Sequence, residues 1–389
     1  MDRRRISFAL LAYSFAAIMI GTTMPAPMYA LYSARLHFTV LTMTVIFAIY
    51  AGGVLLALLV FGRWSDALGR RPILLAGALC ALASAAVFLV ADSVPLLLIG
   101  RLLSGLSAGV FTGTATAAVI EAAPAAWRDR APAVATVANI GGLGLGPIVA
   151  GVLVQYAPAP LQLAFVVHIV LVILAAVAVL LVPETSARTG NAGLQRLSVP
   201  PEARPVFVIA ALAAFAGFAV TGLFTSVAPA FVAEVIGIDN HAVAGLTAGS
   251  IFIASALAQI AGARMPAQRA VALGCAILVA AMAVLALALR LSSLPGLMAA
   301  AVLSGIGQGI SFSRGLAAVV ERAPADRRAE VSSTYFVVAY VAVAVPVIGA
   351  GFAAQAWGLR TSGIAFSVAI GAMAAASLVL ILLRERRMR

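Results

Sequence analysis

Twelve stretches of this chain each run for about 20 residues or more with almost no charge. That repetition leaves few folds open. A bilayer core is crossed by ~20 apolar residues in helical form. In lipid the backbone is satisfied only in helices or closed barrels. The runs are continuous rather than alternating, so each reads as a helix. They cover about 6–28, 40–61, 72–92, 95–119, 132–156, 160–182, 206–232, 241–262, 270–290, 295–319, 329–353 and 361–383. Hydrophobic residues make up 63% of the chain and charged residues 10%, against about 25% charged in soluble domains. The start, MDRRRISFALLAYSFAAIMIG, imitates a signal peptide. Its apolar run continues to about Met28, so it reads as an uncleaved first helix.

The longest hydrophilic segment, PETSARTGNAGLQRLSVPPEARP, falls at the middle of the chain. Residues 103–128 match 303–328 at twelve positions, including a Glu-x-Ala-Pro-Ala element. The same offset of 200 pairs Gly151 with Gly351 and Gln155 with Gln355. The fourth helix of each half therefore reads as a copy. The expected fold class is an all-α membrane protein with twelve transmembrane helices in two pseudo-symmetric six-helix bundles. The bundles are expected at 1–183 and 206–389, with a cytoplasmic linker at 184–205. Parallel repeats of this kind build transporters whose substrate is held between the halves at mid-membrane.

All 25 basic residues are Arg, and the net charge is +12. They cluster between apolar runs, so the basicity reads as membrane orientation and not as a nucleic-acid surface. With the N-terminus inside, 20 arginines fall on the cytoplasmic side and three, Arg35, Arg290 and Arg360, outside. Arg101 and Arg314 lie within helices. Both termini are thus expected in the cytoplasm. Cys80 and Cys275 sit inside apolar runs and offer neither a disulfide framework nor a metal spacing.

GRWSDALGRRP, from Gly62 to Pro72, joins the second and third helices. It resembles the loop signature of the major facilitator superfamily. Gly62, Asp66, Gly69, Arg70 and Arg71 match; Trp64 and Ala67 depart from the usual Leu and Arg. Gly69 permits a tight turn, Asp66 can meet a cation or a helix N-terminus, and both arginines are expected at the headgroups. RLLSGLSAG opens the fourth helix and resembles that family's Arg-x-x-x-Gly-x-x-x-Gly motif through Arg101, Gly105 and Gly109. Arg101 reads either as a snorkelling anchor or as a polar group in the cavity. GGLGLGPIVAG in the fifth helix is similar to the exporter signature of drug:proton antiporters through Gly142, Gly146, Pro147 and Gly151, with Ala150 in place of a Gly. The resemblance implies export, a proton as coupling ion and a bacterial inner membrane. A monomer is expected.

The residues themselves do not display a proton carrier. All thirteen acids fall in loops or near helix ends. His168 in the sixth helix reads as a core residue, and Asp66 and Asp92 as possible carriers near the two faces. Family architecture places Thr22, Tyr50, Asn139, Phe218, Thr221, Gln308, Phe312, Arg314 and Tyr340 around or beside the cavity. Together they describe an aromatic, apolar pocket for a small amphipathic molecule. Arg314 replaces Thr114 of the first copy and adds cationic character, which favours neutral or anionic substrates. Uptake or facilitated movement of a metabolite or organic anion is the alternative. An enzyme is not expected, because His37, His168 and His241 form no site with a nucleophile or metal spacing. No catalytic residue, cofactor or metal is expected.

Overall fold

The computed structural model describes residues 3–188 and 192–388, the last four of these by backbone alone. Asp2, the side chain of Glu385, and Arg386, Arg387 and Arg389 of the sequence reading therefore lie outside the described side chains. Among the described residues, twelve spans are long and apolar enough to cross a membrane. The first six are Arg3–Leu36, Val40–Phe61, Arg70–Leu89, Val94–Ala122, Ala125–Tyr156 and Leu163–Leu181. The second six are Arg204–Ser226, His241–Ala261, Ala267–Leu291, Leu294–Arg322, Ala325–Trp357 and Leu359–Arg384.

The ends of these spans follow local chemistry. The first span was expected as one helix to Met28, but its helix ends at Thr23. Pro25 and Pro27 remove backbone donors there, so the chain passes through a 3₁₀ turn at Ala26–Met28 before Tyr29–Leu36 resumes the helix. The seventh span starts at Arg204 rather than at 206, because Pro205 is suited to a first helical turn. The Asn240 side chain accepts from the Val243 N–H at 3.1 Å and starts the eighth span. The Ser293 hydroxyl accepts from the Gly296 N–H at 3.2 Å and starts the tenth. The fifth span carries a π-helical turn at Val137–Gly141, ahead of Pro147.

Contacts divide the chain into two compact units, Met1–His37 with Ile49–Gln195, and Phe38–Ala48 with Arg196–Arg389. In the first unit the fourth span packs on the third, and the first span packs on the fifth and sixth. In the second unit the tenth span packs on the eighth and ninth, and the seventh packs on the tenth and eleventh. In lipid no hydrophobic drive joins helices, so close backbone approach through small residues carries the packing.

The duplication reappears in that approach. A Cβ at Gly105 would collide with the carbonyl oxygen of Tyr50, and one at Gly305 with that of Ile251. One turn on, a Cβ at Gly109 would stand 2.7 Å from the Val54 carbonyl, and one at Gly309 2.5 Å from the Ser255 carbonyl. The same two glycines set the same helix contact in each unit.

Candidate functional site

Three polar constellations stand out in the first unit. The first is the loop after the second span. Gly69 adopts φ +108°, a backbone conformation that glycine takes at no steric cost. This turn aims the exposed N–H groups that open the third span at Glu184. The Glu184 carboxylate accepts from Arg70 N–H at 2.7 Å and Arg71 N–H at 3.1 Å. It also accepts from the N–H groups of Thr185 and Ser186, both at 3.0 Å. A Cβ at Gly69 would collide with this carboxylate. Burial works to raise the Glu184 carboxyl, but the backbone donors more than offset it and hold it below the usual carboxylate range.

Arg70 does not extend to the headgroups as the sequence suggested. Its side chain is only 13% exposed and bonds Asp66 at 2.6 Å and Glu121 at 2.8 Å. Its Nη1 also donates to the Ser65 hydroxyl at 2.7 Å. Asp66 thus meets a cation, whereas the helix N-terminus goes to Glu184. Sequence reasoning named neither Glu121 nor Glu184 as a site residue. Their signals were present: Glu121 belongs to the duplicated Glu-x-Ala-Pro-Ala element, and Glu184 to the Val-Pro-Glu-Thr that ends the sixth span. Arg71 and Gly62 flank the cluster; Gly62 lies close against the Leu58 carbonyl.

The second constellation surrounds Arg101. This side chain is 1% exposed, so it is buried within the bundle and does not snorkel. Its Nη1 donates to the Thr22 carbonyl at 2.7 Å, and its guanidinium lies 4.6 Å from the centroid of the Tyr50 ring. An Arg in a span is costly unless such partners receive it. The Tyr29 hydroxyl is buried with no partner among the described residues. Tyr29 was not among the predicted site residues; it follows directly after the paired prolines of the first span.

The third is the glycine face of the fifth span. A Cβ at Gly142 would stand 2.7 Å from Met19 Cβ, and one at Gly146 would collide with the Ile20 carbonyl and the Thr23 hydroxyl. The Thr23 hydroxyl donates to the Leu143 carbonyl at 2.7 Å. Pro147 and Gly151 are buried in the same helix, and Asn139 is half-buried in its π turn.

In the second unit, the Gln308 side-chain oxygen accepts from the Ser255 hydroxyl at 2.6 Å, and Gln259 donates to that hydroxyl at 3.2 Å. Phe312 forms the centre of an aromatic cluster. Its ring centroid lies 4.8 Å from Phe218, 5.4 Å from Tyr335 and 5.8 Å from Phe336. Thr221 is buried and donates back to the Gly217 carbonyl at 3.0 Å. Tyr340 is half-buried in the eleventh span. Arg314 is half-buried, and its Nε is enclosed with no partner among the described residues.

The family model of the Major Facilitator Superfamily matches residues 7–345. The chain belongs to the Major Facilitator Superfamily. Among solved structures it is similar to the human organic anion transporter MFSD10 (TETRAN), with a TM-score of 0.68 at 16% identity, over 98% of this chain and 100% of that one. Identity at that level carries the fold alone. No curated protein sequence matches the chain.

Superfamily members are transporters that bind small molecules within the lipid bilayer. Among the described residues no group of three His, Cys, Asp or Glu side chains could hold a metal ion. Among the described residues, the polar groups well inside the spans are hydroxyls, amides, the His168 imidazole and two guanidinium groups, with aromatic rings beside them. Such a set can bind and orient a solute by hydrogen bonds, ring contact and positive charge.

Proposed function

We propose that this superfamily member exports small amphipathic organic molecules, neutral or anionic rather than cationic, by alternating access coupled to proton antiport. The observation that carries the substrate charge is Arg314: a cation in the tenth span whose Nε is enclosed with no partner among the described residues. The described carboxylates all lie in loops or near span ends, so no fixed anion inside the spans offers a cationic solute a partner. Export is supported by the Gly142, Gly146 and Pro147 face, which is similar to the antiporter signature. The arginine asymmetry favours cytoplasmic termini, and a bacterial inner membrane and a monomer complete the reading.

The rival is uptake or facilitated movement of an organic anion. It is favoured by the same Arg314 and by the organic anion transporter among the similar structures. The test compares efflux of a cationic dye, an uncharged antibiotic and an organic anion from cells carrying wild type or Arg314→Ala. Loss of anion efflux in the variant is the expected result. Strong dye efflux that the variant leaves unaltered defeats the charge preference. Flux measured in inverted vesicles separates export from uptake, and substrate-driven proton movement in proteoliposomes tests the coupling.

A further inference from the structure

The two units repeat each other, yet the start of the third span and that of the ninth differ in one consequential way. The buried Ile73, Leu74, Gly77 and Ala78 of the third span recur as Ala270, Val271, Gly274 and Cys275 of the ninth, 197 positions on. That register sets Ala267 in the place of Arg70, Gln268 in that of Arg71 and Val271 in that of Leu74. The fourth and tenth spans correspond at 200, so Glu321 stands in the place of Glu121.

In the first unit the crevice lined by Arg70, Arg71, Leu74 and Ala118 measures only about 10 Å³. Arg70 fills it and binds Glu121. In the second unit the corresponding crevice, lined by Ala267, Gln268, Val271 and Ala318, is open at about 240 Å³. Glu321, Arg322 and Arg384 border it. With Ala267 in the place of Arg70, no side chain of this kind fills the crevice beside Glu321. Neither Glu321 nor Arg322 has an ion-pair or hydrogen-bond partner among the described residues. Arg384 gives one donor to the Pro205 carbonyl at 3.2 Å and retains the others.

We propose that this crevice seats the headgroup of a phospholipid that carries both a phosphate and a primary ammonium. The ammonium takes the place of the Arg70 guanidinium and pairs with Glu321. The phosphate lies between Arg322 and Arg384, where charge-assisted bonds are strong. The size fits: 240 Å³ is below the ~300–1,000 Å³ of drug-sized sites and suits a headgroup. The position fits a lipid better than a free zwitterion. Ile209 and Ile381 form apolar walls, and exposed Val208 and Leu383 beside them offer acyl chains a surface. Arginine-rich span ends of this kind suit headgroup depth.

The test is native mass spectrometry of the full chain in detergent. Phosphatidylethanolamine, phosphatidylglycerol or phosphatidylcholine is added to lipid-depleted protein. Wild type is expected to retain one phosphatidylethanolamine about tenfold more tightly than either other lipid, a difference set by one charge-assisted pair. Phosphatidylglycerol lacks the ammonium, and the methyl groups of phosphatidylcholine block donation to Glu321. Ala267→Arg restores the plug and should abolish the bound lipid while the melting temperature is kept. Glu321→Gln should weaken phosphatidylethanolamine to the level of phosphatidylglycerol. If Ala267→Arg does not fold, Glu321→Gln and Arg384→Gln carry the test alone. Undiminished retention in these variants overturns the proposal. So does equal binding of phosphatidylglycerol, or competition by free phosphoethanolamine as strong as by the lipid.

Discussion

Arg101 Nη1 and the Thr22 carbonyl are joined at 2.7 Å, tying the fourth span to the first, while the Tyr50 ring of the second span lies 4.6 Å from the guanidinium. One side chain thus links three helices of the first unit. Arg101→Ala removes a charge-assisted bond and a cation–π contact, and is expected to lower stability by about 2–4 kcal/mol. Arg101→Lys keeps the charge but loses the planar face, so it should recover part of the stability and little of the transport rate. Thermal melting in detergent and initial transport rates check both. A wild-type rate in Arg101→Ala would remove this residue from the site.

Glu184 holds the N-terminus of the third span through the Arg70 and Arg71 N–H groups. Its loss by Glu184→Ala is expected to cost about 1–2 kcal/mol, the usual value for a capping side chain. The sign of the pH effect follows from the carboxyl. Although burial raises it, the backbone donors hold it below the ordinary 4.5 in the folded chain. Its stabilisation is therefore present above the unfolded value and is lost as pH falls through the lower folded value. The melting difference between wild type and Glu184→Gln should be constant above about pH 5 and shrink in more acidic buffer. A difference that grows on acidification would contradict the capping role.

The spans, the duplication and the small-residue faces were legible because each is a local pattern. Gly105 and Gly109 are one turn apart, and the structure sets both against the second span. The partner of Arg101 was not legible. The second span is apolar all round, so nothing in its pattern orients Tyr50 toward the fourth. The π turn at Val137–Gly141 shifts the helix register without any residue type that encodes it. The open crevice was hidden by register too. An offset of 200 compares Arg70 with Ala270, whereas burial places Ala267 there, because the ninth span begins earlier relative to the tenth than the third does to the fourth.

The glycine face of the fifth span predicts a graded response. At Gly146 a side chain meets backbone oxygen of the first span, which cannot rotate away. Gly146→Val should separate the first and fifth spans, lower the melting temperature and reduce transport at least about tenfold, since misplacement of packed elements is costly. Gly113→Ala in the fourth span meets nothing within 4 Å and should leave stability unchanged or slightly raised, as Ala favours helix over Gly. Equal melting of Gly146→Val and wild type would show that the first and fifth spans do not depend on this contact.

His168 offers a test that separates packing from proton carriage. It is 4% exposed in the sixth span, and its ring lies where a Cβ at Gly21 would be. It bonds the backbone of Ala17, while its Nε2 is enclosed with no partner among the described residues. An enclosed nitrogen without a partner is a cost, and replacing it with an apolar ring of similar shape can be neutral or stabilising. His168→Phe keeps the ring against Gly21 and removes both nitrogens. The melting temperature should hold or rise, and transport should stay within about twofold of wild type, because the ring that fills the space beside Gly21 is kept. If instead substrate-driven proton movement collapses in proteoliposomes while the protein stays folded, His168 is a carrier of the coupled proton and not a packing residue.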